Sequence, residues 1–169
     1  QLTNKNIVCD TLKILEKHNI LPNKLTIEIT ESVAIDNIEN YKQIFDDFED
    51  EGIQISIDDF GTGYSNIGYL KKMSVNEIKI DRMFVKDIQP ETYQYNLIKT
   101  VADFAKENKF LVCLEGIENT DELKIVESLN ADVFQGYLFD KPCTPVEFYN
   151  KYIDSTTKEF KERIEFIDY

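Results

Sequence analysis

The chain has 169 residues, enough for one domain with a substantial core, and its 42% hydrophobic and 12% aromatic content fits a globular protein. No apolar run reaches the roughly 20 residues that a membrane-spanning helix needs, and the amino terminus does not resemble a secretory leader. A net charge of −13, from 32 acidic against 19 basic residues, argues against a binder of duplex nucleic acid and makes any anionic ligand depend on intervening cations.

Apolar spacing at Ile7, Val8, Leu12 and Leu15 predicts a helix over about residues 4–18. A turn at Leu21-Pro22-Asn23 leads into a strand at 25–30. Residues 36–51 read as an amphipathic helix through Ile38, Tyr41, Phe45 and Phe48, ended by Gly52. A strand at 53–58 runs into a glycine loop, followed by a short helix at 67–71 and a strand at 77–81. A helix at 91–108 buries Leu97, Ile98, Val101, Phe104 and Ala105, and a strand at 111–115 follows it. A helix at 120–129, capped at Thr120, precedes a strand at 132–135, and helices are expected at 146–153 and 158–167 after the loop marked by Pro142 and Pro145. No repeat, linker or low-complexity tract interrupts residues 1–169, which read as a single domain.

Strands separated by helices pair in parallel, so their carboxyl ends share one rim, where α/β proteins carry their chemistry. Strand side chains alternate faces. Leu25, Ile27 and Ile29 therefore oppose Thr26, Glu28 and Thr30, and Ile53, Ile55 and Ile57 oppose Gln54, Ser56 and Asp58. Each strand ends in a polar residue, namely Glu28, Asp58, Lys79, Glu115 or Gln135. A doubly wound sheet is apolar on both faces, whereas Thr26, Gln54, Ser56, Glu77 and Lys79 make one face polar, which favours a polar-lined barrel. A (β/α)8 barrel typically takes about 250 residues, so the five βα units expected here form an open sheet or a barrel lacking its first strands.

Asp58-Asp59-Phe60-Gly61-Thr62-Gly63 is the sharpest local signal. Two adjacent carboxylates at a fraying strand end reach one or two cations, and the glycines allow a tight turn. The Asp59-Phe60-Gly61 tripeptide echoes kinases, but no kinase phosphate or catalytic loop accompanies it. The glycine pattern is not that of a dinucleotide-binding turn. Glu28, Asp58 and Glu115 on one rim would repel each other without cations, and their all-oxygen character suits Mg²⁺, Mn²⁺ or Ca²⁺ rather than zinc. Lys79 either pairs with a carboxylate or orients a water and stabilises a phosphoryl oxygen. His18, the only histidine, sits near a helix end, where a cation suits the dipole; with no other histidine and no serine elbow, Ser-His-Asp hydrolysis is excluded. Cys9, Cys113 and Cys143 have no metal-type spacing and read as reduced thiols of a cytoplasmic protein, with Cys113 buried in a strand.

Glu28-Ile29-Thr30-Glu31-Ser32, Asp58-Asp59-Phe60-Gly61-Thr62-Gly63-Tyr64-Ser65, Lys79-Ile80-Asp81, Glu115-Gly116-Ile117-Glu118 and Gln135-Gly136-Tyr137 together resemble the EAL domains, the bacterial phosphodiesterases of cyclic di-GMP (c-di-GMP). The resemblance spans about residues 25–140. It implies an EAL-type (β/α)8 barrel and hydrolysis of c-di-GMP to linear pGpG with Mg²⁺ or Mn²⁺ in a two-metal site. By position it implies metal ligation by Glu28, Asp58, Asp59 and Glu115, with catalytic roles for Lys79, Asp59 and Glu115. It also implies support from Glu31, Asp81 and Glu118, and dinucleotide contacts by Gln135, Gly136, Tyr137 and Leu138. Glu31 matches the acid that anchors the loop after the Asp-Asp pair, a loop used for dimerisation in many relatives.

The family's opening Glu-Ala-Leu strand, its substrate arginine and an asparagine ligand have no counterpart in this sequence. Gln1 is not a native start, so a carboxyl-terminal part of a longer, multidomain or membrane-tethered protein is expected. By itself that part is expected to be inactive or nearly so, and to self-associate through exposed strand edges. The alternative is a c-di-GMP-binding or dimerisation module without turnover. Another Mg²⁺ barrel enzyme with a similar rim is a distant third.

Overall fold

The computed structural model describes residues 1–36, 38–63, 68, 70 and 73–153. The chain divides into two compact units, Gln1–Leu138 and a second beginning at Phe139. The first unit runs α1 (Ile7–Lys17), β1 (Thr26–Thr30), α2 (Glu31–Asp36), α3 (Ile38–Asp50), β2 (Gln54–Phe60), β3 (Glu77–Ile80), α4 (Tyr93–Asn108), β4 (Leu111–Leu114), α5 (Thr120–Val126) and β5 (Val133–Phe134). The strands form one parallel sheet in the order β1-β2-β3-β4-β5. This is five strands of a TIM-like barrel, with β1 and β5 at the two edges of the described sheet.

Alternation is what builds the core. Ile29, Ile55, Ile57, Ile78, Ile80, Val112 and Leu114 are buried on the helix-facing side, against Phe45 and Phe48 of α3 and Ile98, Val101 and Ala105 of α4. β-branched residues fill a pleated surface well, and full burial of one such side chain stabilises by about 1.5–3 kcal/mol. The opposite face carries Thr26, Glu28, Gln54, Ser56, Glu77, Lys79 and Cys113 in register.

The lower ends of the strands are closed by side chains that mimic the ladder. Asn76 Oδ1 accepts the Ile55 N–H at 2.7 Å, and Asp132 Oδ2 accepts the Val112 N–H at 2.8 Å. α3 stops at Gly52 as expected, with the Gly52 N–H donating to the Glu49 carbonyl and the Ile53 N–H to that of Phe48.

One local expectation is corrected, and one short helix was not anticipated. A short helix, α2, follows β1 directly, where the sequence had suggested no element. The cap of α5 is Asn119, not Thr120: the Asn119 side chain accepts from the Asp121 and Glu122 N–H groups, and Glu122 completes a capping box. The stretch at 146–153 is helical as expected, a one-turn α-helix, α6 (Pro145–Phe148), passing into a π-helix at Tyr149–Ile153. The expected helix at 158–167 lies outside the described residues, as does most of that at 67–71. In the second unit a Thr144–Glu147 capping box opens α6, and Asp140 accepts from Lys151 and Tyr152.

Candidate active site at the strand tips

Lys79 on β3 is the centre of the rim. Its Nζ lies 2.8 Å from Glu115 Oε1, 3.0 Å from Glu28 Oε1 and 3.4 Å from Asp58 Oδ1. These residues come from β3, β1, β2 and the end of β4, so the parallel register alone brings them together. The lysine side chain is 8% exposed, Glu115 18% and Asp58 25%, whereas Glu28 on the edge strand is 53% exposed. Burial pulls the lysine pKa down, but the hydrogen bonds to Glu115 and Glu28 and the charges of Glu115 and Asp58 outweigh it and raise the pKa above its ordinary value. Lys79 is therefore a fixed ammonium. Burial raises the Glu115 carboxyl despite the lysine, with Asp58 and Glu28 adding to the rise.

The Asp-Asp pair is not a fraying end. Ile57 pairs with Ile78 and Phe60 with Ile80, so β2 places two residues, Asp58 and Asp59, where β3 places only Lys79. This is a β-bulge, which re-aims side chains beside active sites. Without it Asp59 would alternate to the helix-facing side; with it, both acids fall on the polar face, and Phe60 returns to the core. Asp59 takes φ +55°, a left-handed conformation that Asp tolerates better than most residues. Burial raises its carboxyl pKa, and the neighbouring charges of Asp58 and Asp81 raise it further.

Beyond the bulge, Gly61 turns the chain at φ +96°, and Glu31 Oε2 accepts the N–H groups of Gly61 at 2.9 Å and Gly63 at 3.2 Å. Tyr64 to Asn66 of this loop lie outside the described residues. Asp81 Oδ1 accepts the Met83 N–H at 2.8 Å, capping the turn after β3.

The other expected residues are placed less closely. Glu118 is exposed at its side chain. Gln135 is exposed, and its backbone extends the β4–β5 ladder through the Leu114 carbonyl and the Ile117 N–H. Tyr137 is 57% exposed, while Leu138 packs against the core. Gly136 sits so close to Ile117 that a Cβ there would run into the Ile117 backbone.

Sequence reasoning missed Glu122. It is buried and accepts from the Asp87 N–H at 3.2 Å, the Glu118 N–H at 2.9 Å and the Asn119 N–H at 3.3 Å, tying the loops after β3 and β4 together. The Asn-x-x-Glu spacing of a capping box was its available signal.

The donor set fits a hard divalent cation in its chemistry, being entirely carboxylate oxygen. Asp58 Oδ1 supports the fit: it is buried and accepts no hydrogen bond among the described residues, its 3.4 Å approach to Lys79 lacking hydrogen-bond geometry. The carboxylates converge on the ammonium, however, and among the described residues no three His, Cys, Asp or Glu stand as a ready ligand cluster. No helix among them is long and apolar enough to cross a membrane.

Known proteins bear on this rim directly. The EAL domain family model matches residues 1–142. The chain is 34% identical over 141 residues to the probable cyclic di-GMP phosphodiesterase PdeA of Escherichia coli (strain K12), a match covering 83% of this chain and 19% of that protein. The solved PaMucR phosphodiesterase in complex with c-di-GMP aligns with a TM-score of 0.83 at 27% identity, over 87% of this chain and 65% of that one. Klebsiella pneumoniae BlrP1, solved with c-di-GMP and either calcium or manganese, aligns with a TM-score of 0.80 at 27% identity, over 84% of this chain and 36% of that one. The chain spans about a fifth of the length of the first curated relatives it matches. With its parallel sheet, its acidic strand tips and this match across most of its length, the chain belongs to the EAL domain family.

Proposed function

We propose that this chain is the carboxyl-terminal part of a c-di-GMP phosphodiesterase domain that opens the cyclic dinucleotide to linear pGpG. The observation that carries the reading is the convergence of Glu28, Asp58 and Glu115, from three different strands, on Lys79 Nζ. Glu28, Asp58, Asp59 and Glu115 would hold Mg²⁺ or Mn²⁺. Such an ion, when bound, polarises phosphoryl oxygens as a Lewis acid.

The chain's own residues do the rest. Lys79 stays charged and offers three donors, suited to orienting a water and stabilising negative charge on a phosphoryl oxygen. Asp59 accepts a proton from that water as its oxygen attacks phosphorus, and the ribose oxygen that leaves takes up a proton from solvent. Glu31 holds the loop after the bulge, while Asp81 and Glu118 support the rim. Gln135, Gly136, Tyr137 and Leu138 contact the dinucleotide from the β5 side.

Turnover is assigned to a chain that also carries the Glu-Ala-Leu strand. Chromatographic detection of pGpG after incubation of that longer chain with c-di-GMP and Mn²⁺ tests the reading, and absence of product at saturating metal overturns it. A second reading, a binding or self-associating module, is favoured by the half-exposed Glu28 and the two sheet edges. It predicts c-di-GMP binding without product and a concentration-dependent mass in sedimentation.

A further inference from the structure

The exits of β3, β4 and β5 touch backbone to backbone. Past its last ladder residue β4 stays tied to both neighbours: the Glu115 N–H donates to the Ile80 carbonyl at 3.1 Å, and the Ile117 N–H to the Gln135 carbonyl at 3.1 Å. The Leu138 N–H returns to the Ile117 carbonyl at 3.0 Å. Glycine stands at each point of closest approach, Gly136 on the Ile117 backbone and Gly116 on Arg82. Each of these glycines directly follows the polar tip of its strand, Glu115 before Gly116 and Gln135 before Gly136.

Two separate constraints keep position 116 a glycine. Its φ of +74° is left-handed, which strains a residue that has a Cβ. A Cβ would also fall deep inside contact distance of Arg82 Cβ, and 3.2 Å from Arg82 Cα. Neither atom is the free end of a side chain, so no side-chain rotation relieves the clash. Carbon atoms settle at about 3.5–4.0 Å, so the exits of β3 and β4 would part by about 1 Å. Arg82 is not free to retreat. The turn it opens is capped by Asp81, and Phe84 and Val85 anchor it in the core. The displacement therefore reaches the β4 exit, where Glu115 is the residue before Gly116.

We propose that Gly116 is a positioning residue. By seating the β4 exit directly on Arg82, it sets where Glu115 meets Lys79, and how far that cluster stands from the Gln135–Leu138 segment. It is assigned no contact with cation or dinucleotide and acts through the backbone of its neighbours. The seating is a property of the fold alone; its consequence for turnover rests on the phosphodiesterase reading.

The test places Gly116→Ala in the longer chain that carries the Glu-Ala-Leu strand, alone and combined with Arg82→Gly or Arg82→Ala. Arg82→Gly removes the atom that the new methyl meets, whereas Arg82→Ala removes the guanidinium and keeps that atom. Without metal, Gly116→Ala should speed hydrogen exchange at the Glu115 amide by about tenfold or more, and leave that of Val112, deeper in β4, within about twofold. With Mn²⁺ and c-di-GMP, kcat should fall about a hundredfold, the scale of a misplacement of about 1 Å. Arg82→Gly should recover about half or more of each loss on a logarithmic scale, and Arg82→Ala neither. Unchanged exchange at Glu115, equal acceleration at Glu115 and Val112, or equal rescue by the two Arg82 variants overturns the seating. If Gly116→Ala alone does not fold, folding restored by Arg82→Gly and not by Arg82→Ala supports the seating, and no restoration overturns it. Faster exchange at Glu115 with native kcat overturns the positioning role. If the longer chain forms no pGpG, the phosphodiesterase reading and the positioning role fail together, while exchange and its rescue still decide the seating.

Discussion

Two ways of burying an acid stand side by side in this chain. Glu31 and Glu122 are buried and accept backbone N–H groups, Glu31 from Gly61 and Gly63, and Glu122 from Asp87, Glu118 and Asn119. Glu28, Asp58 and Glu115 instead crowd one ammonium, with Asp59 beside them. Amide donors are fixed by the loops they belong to, so the first arrangement makes a rigid staple. Four carboxylates against one lysine carry more acid than the ammonium balances, and the raised pKa values of Asp59 and Glu115 are the result. The structural acids each hold their own amide donors, whereas the acids assigned to chemistry share one ammonium and leave Asp58 Oδ1 without a hydrogen bond among the described residues.

The largest effect that tests this contrast is removal of the shared cation. Lys79→Met should abolish turnover in the longer chain. It should also destabilise this one by about 2–4 kcal/mol, below the range for a fully buried pair because Glu28 is half exposed. Urea denaturation at neutral pH measures the loss, and the deficit should shrink at acidic pH as the carboxylates protonate. The sign at high pH is also fixed. The folded-state pKa of Lys79 is raised, so its contribution is fully present below the ordinary lysine range and fades as pH climbs through the higher folded value. The variant should show no such fade.

Next comes the staple. Glu122→Ala leaves three N–H groups without their acceptor and should cost about 2–3 kcal/mol by the same denaturation assay. Mn²⁺ affinity of the folded fraction should stay within about twofold, because Glu122 touches loops rather than the rim. A tenfold loss of affinity would erase the distinction between the two kinds of acid.

Asp59→Asn should move in the opposite direction from both. Asn tolerates the left-handed backbone at this position, and the substitution removes a charge that burial and Asp58 disfavour. Stability should rise by about 0.5–1 kcal/mol while turnover in the longer chain is lost. In the native chain, Asp59 and Glu115 have raised folded pKa values. Their ionisation therefore lowers stability as pH rises from the ordinary carboxylate range through the raised values. Millimolar Mn²⁺ should flatten that decline in a pH series of thermal midpoints.

The smallest effect belongs to an ordinary surface pair. Lys42 and Asp46 lie 2.6 Å apart at helical spacing on α3, half and one-third exposed. Lys42→Ala should cost about 0.3–0.5 kcal/mol, and 1 M salt should abolish the difference.

Much of this molecule is readable from residue alternation. Ile-x-Ile spacing fixed which faces of β1, β2 and β3 meet the helices, and the polar residue closing each strand marked the rim. The expectation that Glu28, Asp58 and Glu115 share one place rests on that spacing, and the structure brings all three to Lys79. What stayed hidden depends on partners distant in sequence. The bulge at Asp58-Asp59 exists only relative to the register of β3, which no local pattern announces. Glu122 went unread because its partners Asp87 and Glu118 come from two loops, one of them 35 positions away. α2 escaped because Ser32-Val33 has weak helical preference, and packing against β1 and β2 overrides it.

The extra residue in β2 also makes substitution and deletion inequivalent. Replacing either aspartate changes one functional group and leaves the path of the chain alone. Deleting either one would restore plain alternation: a single acid would face Lys79, and Phe60 would still arrive opposite Ile80. Such a shortened chain should keep its hydrophobic packing while losing one carboxylate outright. An evolving lineage could in this way silence the site by a three-nucleotide loss with little disturbance to the fold around it.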